Sequence, residues 1–88
     1  MDAVNGVILC VEDEADIRRD IVEELLDAGY AVHEAAHGNE ALACLDAVQP
    51  DLILCDVNMP GCSGLQVLER VRARGDALGE VPFVLLTA

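Results

Sequence analysis

The chain has no lysine and no tryptophan, and its aromatic residues are one tyrosine, Tyr30, and one phenylalanine, Phe83. A core must therefore be built from Val, Leu, Ile, Ala and Cys rather than from stacked rings. Positive charge is equally scarce. The five bases are all arginine (Arg18, Arg19, Arg70, Arg72 and Arg74) and face 17 acids, for a net charge of −12. That balance repels nucleic acid and anionic membranes, and it suits cations and basic partner surfaces. Most of the acids need no more explanation than a solvated surface. No apolar run approaches the roughly 20 residues of a membrane span. Asp2 stands where a signal peptide would carry bases. The four cysteines, Cys10, Cys44, Cys55 and Cys62, form no C-x-x-C, and no His lies at a zinc-finger spacing. Both facts argue against a zinc site or a disulfide framework and for a reducing, cytoplasmic compartment. At 88 residues there is room for one domain, 1–88, of modest stability.

What is present is a regular alternation. Gly6 to Val11 is a short apolar run rich in β-branched residues and reads as a buried strand. Ala15 to Ala28 places Ile17, Ile21, Val22, Leu25 and Leu26 on one helical face, with Gly29 just past its end. Tyr30 to Ala35 reads as an outer strand. Asn39 to Val48 reads as a shorter helix stopped by Gln49-Pro50. Asp51 to Cys55 is a strand apolar on both faces. Ser63 is placed to cap a helix over Gly64 to Arg74, with Leu65, Leu68 and Val71 inward and the arginines complementing the dipole at its end. Gly75 to Glu80 reads as a loop and Pro82 to Leu86 as a fourth strand. The order β-α-β-α-β-α-β predicts a parallel sheet with helices on its faces and right-handed crossovers.

Parallel strands end on one edge, where open α/β sheets place their sites. The polar residues there are Glu12 and Asp13 after the first strand, Asp56 and Asn58 after the third, and Thr87 after the fourth. Each has an ordinary explanation: turn chemistry for Asp56, first-turn acids for Glu12 and Asp13, strand propensity for Thr87. Their coincidence at one edge is harder to explain that way. A carboxylate pair about 5 Å apart repels by roughly 3 kcal/mol at an effective dielectric near 20. Such a cluster takes up protons or binds a cation. Oxygen ligands without His or thiolate favour Mg²⁺ or Mn²⁺. Mg²⁺ keeps water positions that phosphate oxygens can replace, so the edge reads as a phosphoryl-transfer site with one carboxylate as nucleophile.

The stretches "ILCVEDEADIRRDI", "GYAVHEAAHGNEAL", "PDLILCDVNMPGCSGLQVL" and "VPFVLLTA" resemble the receiver domain of two-component response regulators, in order and over essentially the whole chain. The resemblance implies a doubly wound, flavodoxin-like parallel sheet, here truncated to four strands in the order 2-1-3-4 with three helices. It implies that Asp56 is the phosphoacceptor, attacking the phosphoryl group of a kinase phosphohistidine or a small phosphodonor. Asp13 would bind Mg²⁺ directly, Glu12 through water, and Asn58 through its main-chain carbonyl. Thr87 would be the switch hydroxyl. Backbone N–H groups of Asn58 and Ala88 would contact phosphate oxygens, while Pro60 and Gly61 shape the adjoining loop. The implied partners are a sensor histidine kinase or a phosphotransfer protein. The implied role is a signalling switch limited to its own phosphorylation and dephosphorylation, rather than an enzyme.

The resemblance also implies a further helix, strand and helix. That strand carries a lysine, and this chain has none. Metal binding should then persist while phosphorylation weakens or its product is short-lived. The uncharged stretch Phe83 to Ala88 would form an open sheet edge, which predicts a homodimer or larger assembly through the fourth strand. Two other functions are open to such a chain. A Mg²⁺-dependent phosphohydrolase would carry D-x-D-x-[TV] after its first strand, whereas Asp56-Val57-Asn58 follows the third and lacks the second Asp. A phosphorylation-independent interaction domain of receiver-like fold is the remaining alternative.

Overall fold

The computed structural model describes residues 5–75 and 77–87. Four parallel strands, β1 (Val7–Val11), β2 (Ala31–Ala35), β3 (Leu52–Asp56) and β4 (Phe83–Leu86), form one sheet in the order β2-β1-β3-β4. Three helices connect them: α1 (Ala15–Asp27), α2 (Gly38–Cys44) and α3 (Gly64–Arg72). This is the expected doubly wound alternation and strand order. The register sets Leu9 beside Ile53 and Val11 beside Cys55, while Ile53 faces Phe83 and Cys55 faces Leu85. Paired residues share a face, so these rows line one side of the sheet. There Leu9, Val11, Ile53 and Cys55 pack with Ala41 and Leu45 of the α2 segment and with Val67 and Val71 of α3. α1 covers the other side over β1 and β2, burying Ile8, Cys10 and Val22.

The helix ends follow local chemistry. Ser63 Oγ accepts from the Gln66 N–H at 3.3 Å, and Gln66 Oε1 accepts from the Ser63 N–H at 2.8 Å, a reciprocal capping box. Arg70 and Arg72 occupy the last turn of α3, where they complement the dipole. Gly29 has φ +94°, the left-handed conformation expected after α1. α2 is shorter than its sequence suggests. It begins at Gly38, where His37 Nδ1 accepts from the Glu40 N–H at 3.2 Å. It stops at Cys44, because Asp46 and Ala47 donate three residues back, to Ala43 and Cys44, and tighten the chain into a turn. The segment before β4 contains a 3₁₀ turn, Ala77–Glu80, rather than a plain loop. Arg72 Nη1 holds it by donating to the Gly79 and Val81 carbonyls at 3.0 and 2.7 Å.

Two packing expectations are corrected. In α3 the inward seam is Gly64, Val67 and Val71; Leu68 is half-buried and Leu65 is 51% exposed. Gly64 sets this phase. A Cβ there would collide with the Asp56 carbonyl oxygen, so the helix must present its bare residue to β3 and carry Val67 and Val71 inward with it. In α1 only Val22 is buried, while Ile17 and Leu26 are exposed. Ile17 and Ile21 lie at the end of α1 beside the strand carboxyl ends rather than over the sheet.

Candidate functional site

β1 and β3 are the two central strands, and their carboxyl ends deliver the acids side by side. Glu12 follows β1, its N–H donating to the Ala35 carbonyl at 3.1 Å, and Asp56 is the last residue of β3. One carboxylate oxygen from each of Glu12, Asp13 and Asp56 lies within 4.8 Å of the others. Asn58 and Thr87 line the same cleft, of about 310 Å³, together with Glu14, Ile17, Ile21 and Leu86. Five of the residues singled out in the sequence are thereby brought together. Pro60 and Gly61 lie in the exposed loop that follows, with the Cys62 N–H donating to the Pro60 carbonyl at 3.0 Å. Ala88 lies outside the described residues.

The loop after Asp56 is tied at both ends. The Val57 N–H donates to the Leu86 carbonyl at 3.1 Å, and the Gly64 N–H donates to the Val57 carbonyl at 3.0 Å. The Asn58 N–H donates to Asp56 Oδ1 at 3.2 Å and so fixes the carboxylate rotamer. This amide, expected to serve phosphate oxygens, therefore already points at the Asp56 carboxylate.

The electrostatics are those of a crowded acid cluster. Glu12 is 6% exposed. Burial pushes its carboxyl above the usual range, and hydrogen bonding to Asp13 and the charges of Asp56 and Asp13 push the same way. The Glu14 N–H, donating to Glu12 Oε2 at 3.2 Å, opposes them in part. Carboxylates crowded together favour a cation among them, and an all-oxygen set suits a hard divalent ion. The residues present fit Mg²⁺. Burial also raises the neighbouring Cys55 thiol to about 12 and Cys10 to about 11, so both remain neutral core residues.

The sequence reading omitted Glu14, Ile17, Ile21 and Leu86 from the cleft. Ile17 and Ile21 lie on the apolar face of α1, and helical periodicity says which residues share a face, not which end of the helix overhangs the sheet edge. In the sequence Arg18 is one base among five. In the fold it donates through Nη1 to the Glu12 carbonyl at 2.7 Å and through Nε to Glu34 Oε1 at 3.2 Å.

Acids, amide and hydroxyl gathered at the carboxyl edge of a doubly wound sheet mark a phosphoacceptor signalling module. Comparison with known proteins fixes the family: residues 8–88 match the response regulator receiver domain, and the chain belongs to that family. Over 85 residues it is 40% identical to the phosphate regulon transcriptional regulatory protein PhoB of Pseudomonas aeruginosa, a match covering 97% of this chain and 37% of that protein. The chemotaxis response regulator CheY4 of Vibrio cholerae superposes with a TM-score of 0.82 at 36% identity, over 91% of this chain and 66% of that one. The response regulator TrrA of Thermotoga maritima, solved in complex with Mg(2+)-BeF, superposes with a TM-score of 0.85 at 39% identity, over 93% and 69%. The chain thus spans about a third of PhoB and about two thirds of these solved receivers. The interaction-only alternative is not favoured by this company. Among the described residues no helix is long and apolar enough to cross a membrane.

Proposed function

We propose that residues 1–88 act as one receiver domain in which Asp56 accepts a phosphoryl group from the phosphohistidine of a sensor kinase or phosphotransfer protein. The observation that carries this is the convergence of Glu12, Asp13 and Asp56 within 4.8 Å, in a cleft also lined by Asn58 and Thr87. An Asp56 carboxylate oxygen attacks phosphorus in line. The new bond is O–P, the broken bond is the donor's N–P, and the histidine leaves with its electron pair and takes up a proton. The Asn58 N–H holds the attacking carboxylate in place. Asp13 and Asp56, with the Asn58 carbonyl, would hold Mg²⁺, and Glu12 would hold it through water. When bound, the ion supplies the positive charge that offsets the crowded acids and the incoming phosphoryl oxygens. The Thr87 hydroxyl is the group that would turn toward the phosphoryl, and backbone N–H groups of Asn58 and Ala88 would receive its oxygens. Pro60 and Gly61 shape the loop alongside.

In this reading the chain turns over only its own acyl phosphate and is not an enzyme for other substrates. It works in the cytoplasm, where the kinase's phosphohistidine is presented. Mg²⁺ is the expected ion, with Mn²⁺ an acceptable substitute. The test is incubation with acetyl phosphate and Mg²⁺ followed by intact mass. The expected result is one phosphoryl adduct in the wild type and none in Asp56→Asn. Equal labelling of both would refute the assignment. The chain should also self-associate through β4, which among the described residues pairs only with β3 and exposes Val84. A monomeric mass by light scattering across a concentration series would refute that part.

A further inference from the structure

The carboxylates of the cleft sit on a short turn, Glu12 to Glu14, between β1 and α1. Within the turn, the Glu14 N–H donates to Glu12 Oε2 at 3.2 Å. The first residue of the turn is joined to β2 by the Glu12 N–H, and Glu14 at the start of α1 makes no side-chain capping bond. The residue that ties the turn down comes from one turn further along the helix. Arg18 reaches back from α1, and its side chain is only 19% exposed. Nη1 donates to the Glu12 carbonyl at 2.7 Å, while Nε donates to Glu34 Oε1 of β2 at 3.2 Å. One guanidinium thus joins the acid-bearing turn, the helix and the neighbouring strand. Its planar fork can serve a carbonyl and a carboxylate together, which a lysine ammonium cannot reproduce as a fixed geometry. The bond to the Glu12 carbonyl fixes the peptide between Glu12 and Asp13, and so the direction in which the Asp13 side chain leaves the backbone.

We propose that Arg18 is a positioning residue for the cation site: anchored by Glu34, it holds the Glu12–Asp13 peptide so that both carboxylates face Asp56 before any ion arrives. The proposal rests on the metal-site reading above. A charge-only role predicts the opposite sign. A positive group near the cleft weakens Mg²⁺ binding electrostatically, so removing it would tighten binding, whereas removing a positioning strap loosens it.

The test uses Arg18→Lys, which keeps the charge and loses the fork, and Glu34→Gln, which leaves Arg18 intact and weakens its anchor at an exposed position. Mg²⁺ affinity is read by calorimetric titration. Hydrogen exchange of the Glu14 amide is read on the metal-free protein. Loss of an outer contact that orients metal ligands lowers affinity by about 10- to 100-fold. We expect about tenfold weaker Mg²⁺ binding in Arg18→Lys, a smaller loss in Glu34→Gln, and faster metal-free exchange of the Glu14 amide in both. Affinity within about twofold of wild type in Arg18→Lys, with unchanged exchange, overturns the proposal, as does tighter binding in Arg18→Ala with Arg18→Lys unchanged. If Arg18→Lys does not fold, Glu34→Gln decides by the same two readouts. Absence of Mg²⁺ binding in the wild type would refute the metal-site reading instead; accelerated metal-free exchange in the variants would then still support the strap, and unchanged exchange would end it.

Discussion

On the face that carries α2 and α3, Leu9, Val11, Ile53 and Cys55 lose all contact with solvent. On the face that carries α1, Leu52, Leu54 and Leu86 stay half-buried and Val84 is 42% exposed. The strands offer similar residue types to both sides, so the difference lies in what covers them. Two helices span the first face; one helix over β1 and β2 leaves the β3–β4 half of the second open. Apolar strand residues therefore record a capacity for burial. How much of it is used depends on the number of helices and on where each one lands.

The largest effect that would sharpen this contrast is truncation on the closed face. Ile53→Ala should destabilise by about 3–4 kcal/mol, through lost transfer energy and a cavity that closely packed neighbours cannot fill. Urea unfolding checks it, and a cost below about 1 kcal/mol would mean that this face is no better packed than the other. Gly64→Ala comes next, at about 2–3 kcal/mol, because the new methyl meets the Asp56 carbonyl and α3 must shift away from β3. The same shift should weaken Mg²⁺ binding, whereas Ile53→Ala should not.

The carboxyl edge supplies a third, smaller effect. The Glu12 carboxyl is raised above its unfolded value, so the folded state binds the extra proton between the two. Its contribution is fully present below the unfolded value and is lost as pH rises through the folded one. Metal-free wild type should thus lose melting temperature as pH rises from the unfolded value of 4.5 through the folded one, and Glu12→Gln should show a shallower dependence. Saturating Mg²⁺ should flatten the wild-type profile. Identical profiles for wild type and Glu12→Gln would remove Glu12 as the cause. The smallest effect belongs to the open face: Val84→Thr should change stability by no more than about 0.5 kcal/mol. A larger loss would show that Val84 is covered in solution.

Much of this was legible in advance because it depends on neighbours in sequence. The Ser63 cap, Gly29 past α1 and the apolar run before Asp56 are local signals with local causes. The site acids were legible for a topological reason: parallel strands must all end on one edge, so Glu12, Asp13, Asp56, Asn58 and Thr87 could be grouped without coordinates. The differences in α3 and α1 share one cause. Leu65, Leu68 and Val71 fit a helical stripe as well as Gly64, Val67 and Val71 do, and only the close approach of Gly64 to Asp56 chooses between them. Ile17 and Ile21 satisfy the α1 stripe equally well as core or as cleft wall. α2 ends early because its last turn tightens toward Pro50, a change too small to register in periodicity.

By itself, then, the sequence determined the alternation of strands and helices, the Ser63 cap of α3, the glycine past α1, and which polar residues reach the carboxyl edge. These follow from side-chain period, backbone preference and chain direction, all properties of the unfolded string. The tertiary structure alone decided the phase of α3, the open half of the α1 face and the grip of Arg18 on the Glu12 carbonyl. Each of those requires two segments distant in sequence to meet at van der Waals or hydrogen-bond distance, and no periodicity within either segment encodes the meeting.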